Sequence, residues 1–145
     1  MDVEGFELKE DLYYESSGAY IWAKVEGDIV TVGITPVGVA VAKDFVYLEL
    51  PSEGDSVTQG EAFGVIETIK ATGELISPVS GEVVEVNEEA QDDPASIKEN
   101  PYDKWLIKIK ATNLEEELKN LMDIEKAKDW YIEEIRKLRE DGILE

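Results

Sequence analysis

Gly64-Val-Ile-Glu-Thr-Ile-Lys-Ala-Thr-Gly-Glu-Leu-Ile-Ser-Pro-Val-Ser-Gly81 reads as two short strands joined by a tight turn that carries a single lysine, Lys70. The β-branched pair Val65 and Ile66 leads in and Leu75 and Ile76 lead out. The spacing predicts that Gly73 supplies the positive φ of a hairpin connection. A lysine at such a tip points into water. Pro78 and Gly81 punctuate the exit, and a strand is predicted from Glu82 to Val86, with Val84 and Val86 alternating with acidic residues as on a half-buried strand. By itself a lysine on a turn is solubilising charge, so any function must be read from what surrounds it.

Those surroundings are specific. Glu67 lies three residues before Lys70, Ala71 follows it, Gly54 lies sixteen before it, and Ser77-Pro-Val-Ser-Gly81 puts a glycine eleven after it. The pattern resembles the attachment hairpin of lipoyl and biotinyl carrier domains. Biotinyl domains usually flank the modified lysine with methionines; here the flanks are Ile69 and Ala71, which favours lipoyl. The run Glu-Thr-Ile-Lys-Ala followed by Ser-Pro-Val-Ser-Gly-Glu-Val-Val-Glu-Val-Asn87 is most similar to the glycine cleavage H-protein family.

The resemblance extends from about Tyr20 to Asp129. It includes the Val25-Glu-Gly-Asp28 turn with Gly33-Ile-Thr35, the Leu48-Glu-Leu-Pro51 segment, and Pro101-Tyr102 with Trp105-Leu-Ile-Lys-Ile109. One departure stands out. Where the family has Ser-His-Glu before Trp22, this chain has Ala19, Tyr20 and Ile21. In the family that region borders the cleft into which the loaded arm folds. A carboxylate there can pair with the ammonium of an aminomethyl group, whereas Ile21 cannot.

The resemblance implies lipoic acid amide-linked to Lys70, with Glu67 helping to present the lysine to a lipoate ligase or lipoyl synthase route. Gly54, Gly73 and Gly81 would shape the hairpin and Ala71 would flank it. It further implies a carrier that catalyses nothing and visits glycine decarboxylase, an aminomethyltransferase and dihydrolipoyl dehydrogenase. The changed cleft leaves other uses of the same arm open. These are a lipoate-binding protein of sulfur oxidation working with heterodisulfide-reductase-like subunits, a lipoyl relay donor to 2-oxoacid dehydrogenases, and an unmodified scaffold whose C-terminal helix binds a partner.

Composition narrows the field independently. The chain has 145 residues, 43% of them hydrophobic, which suffices for one proper core. It has no cysteine and no histidine. Disulfides, thiolate or imidazole catalysis and zinc-finger sites are therefore excluded, and redox or acyl chemistry must arrive on a cofactor. A net charge of −20 repels phosphate backbones and anionic head groups, so neither nucleic acid nor membrane is an expected partner. The same field suits brief visits to basic-rimmed active sites, and equally it serves to keep the protein in solution. The acidic N-terminus lacks the pattern of a signal peptide and no apolar run reaches eighteen residues, which predicts a cytoplasmic protein.

Period-2 segments dominate up to Lys110: Tyr20 to Val25, Ile29 to Ile34, Asp44 to Pro51, Ala62 to Glu67 and Trp105 to Lys110. Pro36 to Lys43 is expected as a short helix, because Pro36 suits a first helical position, although Val37, Val39 and Val41 alternate like a strand. From Asn113 the period changes. A capped helix is predicted to about Met122. Ile124, Ala127, Tyr131, Ile135 and Leu138 then mark an amphipathic helix ending before Gly142, with Glu133 and Lys137 paired on its polar face. Trp22 and Trp105 are expected to fill core positions. The predicted fold is a mainly β, two-sheet β-sandwich of the lipoyl-domain type with C-terminal α-helices. Residues 1–17 form an acidic, frayed arm with one short strand near Leu12 to Tyr14, residues 18–112 the carrier β domain, and residues 113–145 a helical extension packed on it.

Overall fold

The computed structural model describes residues 1–145. The chain opens with a ribbon of β1 (Asp2–Val3) and β2 (Phe6–Glu7), then β3 (Tyr13–Tyr14), β4 (Ile21–Glu26), β5 (Ile29–Ile34) and helix α1 (Pro36–Ala42). Next come β6 (Phe45–Glu49), β7 (Ser56–Val57), β8 (Ala62–Thr68), β9 (Thr72–Ile76) and β10 (Gly81–Val86). Helix α2 (Glu88–Asp92) and a 3-10 turn over Pro94–Lys98 precede β11 (Ile107–Ala111). Helices α3 (Leu114–Glu117) and α4 (Ile124–Glu140) close the chain, with a 3-10 turn over Leu118–Asn120 between them.

Every strand pairing is antiparallel. A six-stranded sheet in the order β3-β4-β5-β11-β10-β7 packs against a three-stranded sheet, β6-β8-β9. The sandwich interior is filled from both sheets by alternating side chains, among them Ile21, Val30, Val32, Leu48, Leu75 and Ile109. This is the predicted two-sheet sandwich.

A second apolar cluster lies against α4. The helix buries Ala127, Tyr131, Ile135 and Leu138, the i, i+4, i+8, i+11 stripe expected of it. Fully burying a residue such as Ile135 contributes about 1.5–3 kcal/mol. The stripe meets Val3, Leu8, Leu12, Tyr14 and Trp22. Residues 1–17 are therefore not frayed. Burial of Val3 and Leu8, and backbone bonds from Tyr14 to Met122 and back at 2.8 Å, hold them in place. On the exposed side, Glu4 receives Arg136 at 2.7 Å and Arg139 at 3.8 Å. The Glu133–Lys137 pair does not form.

The competition at residues 36–42 is won by the helix. Pro36 sits at its start and the Thr35 hydroxyl accepts from the Gly38 N–H at 3.2 Å, so local capping outweighs the strand-like valines. Helix α3 is shorter than expected and Asn113 makes no capping bond, whereas Asp123 caps α4 by accepting from the Lys126 N–H at 3.0 Å. In β10, Val83 faces the core and Val84 is exposed. A register shift between Val83 and Glu85 resets the alternation that the sequence suggests. Trp22 is buried, its indole N–H donating to the carbonyls of Ile34 at 3.1 Å and Pro101 at 3.2 Å. Trp105 is half-buried at the surface, with the Lys108 ammonium 5.0 Å from its ring centre.

Candidate functional site

Strands β8 and β9 form the hairpin read from the sequence, paired from Ala62 with Ile76 to Glu67 with Thr72. Ile69 and Lys70 form its two-residue tip. The Thr68 N–H donates to the Ala71 carbonyl at 2.8 Å. The Thr68 hydroxyl accepts from the Ala71 N–H at 3.1 Å and donates to the Ala71 carbonyl at 3.2 Å. Neither tip residue has a positive φ, and neither does Gly73. Gly73 instead lies inside β9 opposite Ile66, so the threonine closes the turn that glycine was expected to make.

Lys70 is exposed and makes no hydrogen bond or ion pair. Glu67 lies half-buried near the end of β8, between Tyr47 and Thr72 on the neighbouring strands. Glu67, Lys70, Ala71 and Gly73 thus share one hairpin. Gly54 and Gly81 do not belong to it. They sit together at the β7–β10 corner, where Gly54 (φ +93°) donates its N–H to the Val83 carbonyl at 2.8 Å and Gly81 opens β10. A Cβ at Gly81 would stand 2.1 Å from the Lys110 carbonyl oxygen, so this position is glycine because β11 passes so close.

A cleft of about 470 Å³ runs along β9. Its far wall is Ser17 to Tyr20, its floor includes Phe45 and Ile66, and the end of α1 closes one side. Glu74 is the one charged residue in the lining and forms no ion pair. Ile21, expected at the border of such a cleft, is wholly buried in the sandwich opposite Ile34. The loop before β4 supplies the wall in its place.

Tyr20 takes a left-handed conformation (φ +60°), and its phenol donates to the Glu134 carboxylate on α4. Burial pushes its ionisation upward, with the hydrogen bond to Glu134 acting in the same direction. Glu15 is buried below the loop and accepts from the Ser17 N–H at 3.0 Å and from the Ser17 hydroxyl. Ala19 and Tyr20 line the cleft as the resemblance implied, whereas Ser17, Gly18 and Val41 were not singled out from the sequence. The one available signal was the charge-free run Val37-Gly-Val-Ala-Val-Ala42, too apolar for a surface helix unless something covers it.

No group of three or more His, Cys, Asp or Glu side chains is placed to hold a metal ion. No helix is long and apolar enough to cross a membrane.

The family model described as Glycine cleavage H-protein matches residues 12–134. The chain belongs to the glycine cleavage H-protein family. It is 48% identical over 127 residues to a probable glycine cleavage system H protein of Pyrococcus abyssi, covering 87% of this chain and 93% of that one. It is 43% identical over 123 residues to the glycine cleavage system H protein of Staphylococcus carnosus, covering 84% and 95%. A crystal structure of the H protein from Mycobacterium marinum superposes with a TM-score of 0.67 at 38% identity, covering 72% of this chain and 87% of that one. H proteins are lipoyl carriers that hold lipoate on a lysine and work with the decarboxylase, aminomethyltransferase and dihydrolipoamide dehydrogenase of glycine cleavage. The sulfur-oxidation and relay readings gain nothing from these relatives.

Proposed function

We propose that this H protein carries lipoate on Lys70 and that it catalyses nothing by itself. The observation that carries the reading is an exposed, unpaired amine at the tip of a two-residue turn, with a cleft of about 470 Å³ running along the strand that leaves it. The surroundings fit the group. An amine free of ion pairs is available for amide formation, and the apolar lining beside the tip suits a hydrocarbon arm. Bound there, lipoate supplies a disulfide able to take up the aminomethyl group released from glycine.

The chain's own residues do the rest. Thr68 holds the tip closed, so Lys70 is offered in one geometry. Glu67 places a carboxylate on the same hairpin, where a modifying enzyme can read it. The apolar wall of the cleft excludes water, and Glu74 offers a carboxylate to an ammonium lodged there. Tethering keeps the cargo at high local concentration as the carrier moves between the decarboxylase, the aminomethyltransferase and the dehydrogenase. The net charge of −20 draws it toward basic rims at each stop.

Intact mass spectrometry after co-expression with a lipoate ligase tests the assignment. The wild type gains one lipoyl increment and Lys70→Ala gains none. The lipoylated protein then supports glycine-dependent bicarbonate exchange with glycine decarboxylase. An increment that survives in Lys70→Ala, or lipoylated protein without exchange, overturns the reading.

A further inference from the structure

Lys70 does not line the large cleft. It lines a second, adjoining cavity of about 340 Å³ at the hairpin tip. This bay is walled by Val41 to Asp44 at the end of α1, by Thr68 to Ala71, and by Gly142 and Ile143 beyond α4. The two cavities share Val41, Ala42, Thr68 and Ala71, so a chain rooted at the tip can turn into either.

The tail wall is built rather than loose. Gly142 reverses the chain after α4 (φ +77°). The Ile143 and Leu144 N–H groups both donate to the Leu138 carbonyl, at 2.9 and 3.2 Å, and the Arg139 guanidinium donates to the Glu145 carbonyl at 2.9 Å. The reversal sets Ile143 against the bay while leaving it 40% exposed, and Ile69 at the tip is 72% exposed. Two large, exposed apolar side chains thus line the same bay as the lysine.

The charges of the two cavities differ. The cleft holds one carboxylate, Glu74, which has no cationic partner. The bay's only carboxylate, Asp44, is engaged by the Lys98 ammonium at 3.1 Å, and its remaining charge besides Lys70 is Lys43. A cation gains from Glu74 in the cleft and finds no free carboxylate in the bay, whereas an uncharged arm can bury itself against the aliphatic side chains of either.

We propose that this bay is a second resting site for the lipoyl arm, taken by its neutral dithiolane form when no aminomethyl group is attached. The proposal rests on the reading of Lys70 as the lipoylated residue. A cavity of about 340 Å³ lies at the small end of the range for ligand pockets, roughly 300–1,000 Å³. Because the arm is anchored in the wall, its effective concentration is at least about millimolar, and a site of modest intrinsic affinity fills. The tail beyond α4 acquires a function on this account: it shelters the idle disulfide from stray thiols until a partner lifts the arm out.

Protein lipoylated by a co-expressed ligase, with labelled isoleucine and valine methyls, tests this by NMR. Oxidised protein shows nuclear Overhauser effects from the dithiolane ring protons to the Ile143 and Val41 methyls. Ile143→Asp removes the contact to Val41 and speeds reduction of the dithiolane by a small phosphine severalfold, and Ile143→Ser does the same without adding charge. If the intact mass carries the lipoyl increment but the contacts are missing, or reduction is equally fast in all three proteins, the bay is overturned and Lys70 stands. If no increment appears on Lys70, both fall.

Discussion

The Tyr20 phenol donates a hydrogen bond to the Glu134 carboxylate, 114 positions further along the chain, and thereby fastens the cleft wall to helix α4. A hydrogen bond to a charged acceptor contributes about 1.5–3 kcal/mol, and partial exposure of this pair puts it near the lower end. Tyr20→Phe and Glu134→Gln should each lower the free energy of unfolding by about 1–2 kcal/mol in urea titrations. The double variant should lose less than the sum of the two.

Gly81→Ala should destabilise the β7–β10 corner, because the added carbon would meet the Lys110 carbonyl oxygen at 2.1 Å and backbone cannot swing aside as a side chain can. A loss of about 1–3 kcal/mol is expected by thermal or urea unfolding. Lipoylation of Lys70 should survive wherever the fold does, since Gly81 lies in the opposite sheet.

Glu74→Gln should weaken retention of an aminomethyl group without touching attachment of the arm. Glu74 is exposed, so its pairing with an ammonium is worth about 0.2–1 kcal/mol, or roughly a 1.4- to fivefold faster loss of the group from the loaded protein. Following released formaldehyde or ammonia over time measures this. The intact mass of the lipoylated, unloaded protein should match that of the wild type apart from the substitution.

Alkali should unfold the protein through its tyrosines. Burial pushes the Tyr14 phenol up to about 12, and burial likewise drives Tyr20, Tyr102 and Tyr131 upward. The folded state holds these protons more tightly than the unfolded chain, whose tyrosines ionise near pH 10. The stabilisation is therefore fully present below about pH 10 and is lost as pH rises through the folded values, by up to about 1.4 kcal/mol per pH unit for each tyrosine. The Tyr131 hydroxyl is buried without a hydrogen-bond partner. Tyr131→Phe should be neutral or stabilising by up to about 1 kcal/mol at pH 7 and should flatten the alkaline slope, as read from Tm against pH.

The hairpin and its lysine were legible because their signal is local: β-branched runs, turn residues and fixed spacing around Lys70 within eighteen positions. Helix α4 was legible for the same reason, its buried stripe repeating with a helical period. The packing of residues 1–17 was not. Strands of two residues have no periodicity to read, and Val3 and Leu8 become core residues only on meeting Tyr131 and Ile135, far along the chain. The register shift between Val83 and Glu85 hid the true faces of β10: Val83 lies in the core, Val84 outside it, and the extra residue brings Val86 back against the core. The cleft was legible as a family expectation: of the three positions expected at its border, Ala19 and Tyr20 line it and Ile21 turns into the core instead. Pattern reading cannot tell which residue of a loop turns inward when the backbone enters the left-handed region, as it does at Tyr20.

The threonine that clasps Ala71 through both its backbone groups makes the tip rigid before any enzyme arrives. Each visitor therefore meets a finished key, and little ordering entropy is left to oppose docking. Specificity among successive visitors must then come from what surrounds the key, not from how it bends, so partners that share nothing else can all accept one unchanging projection.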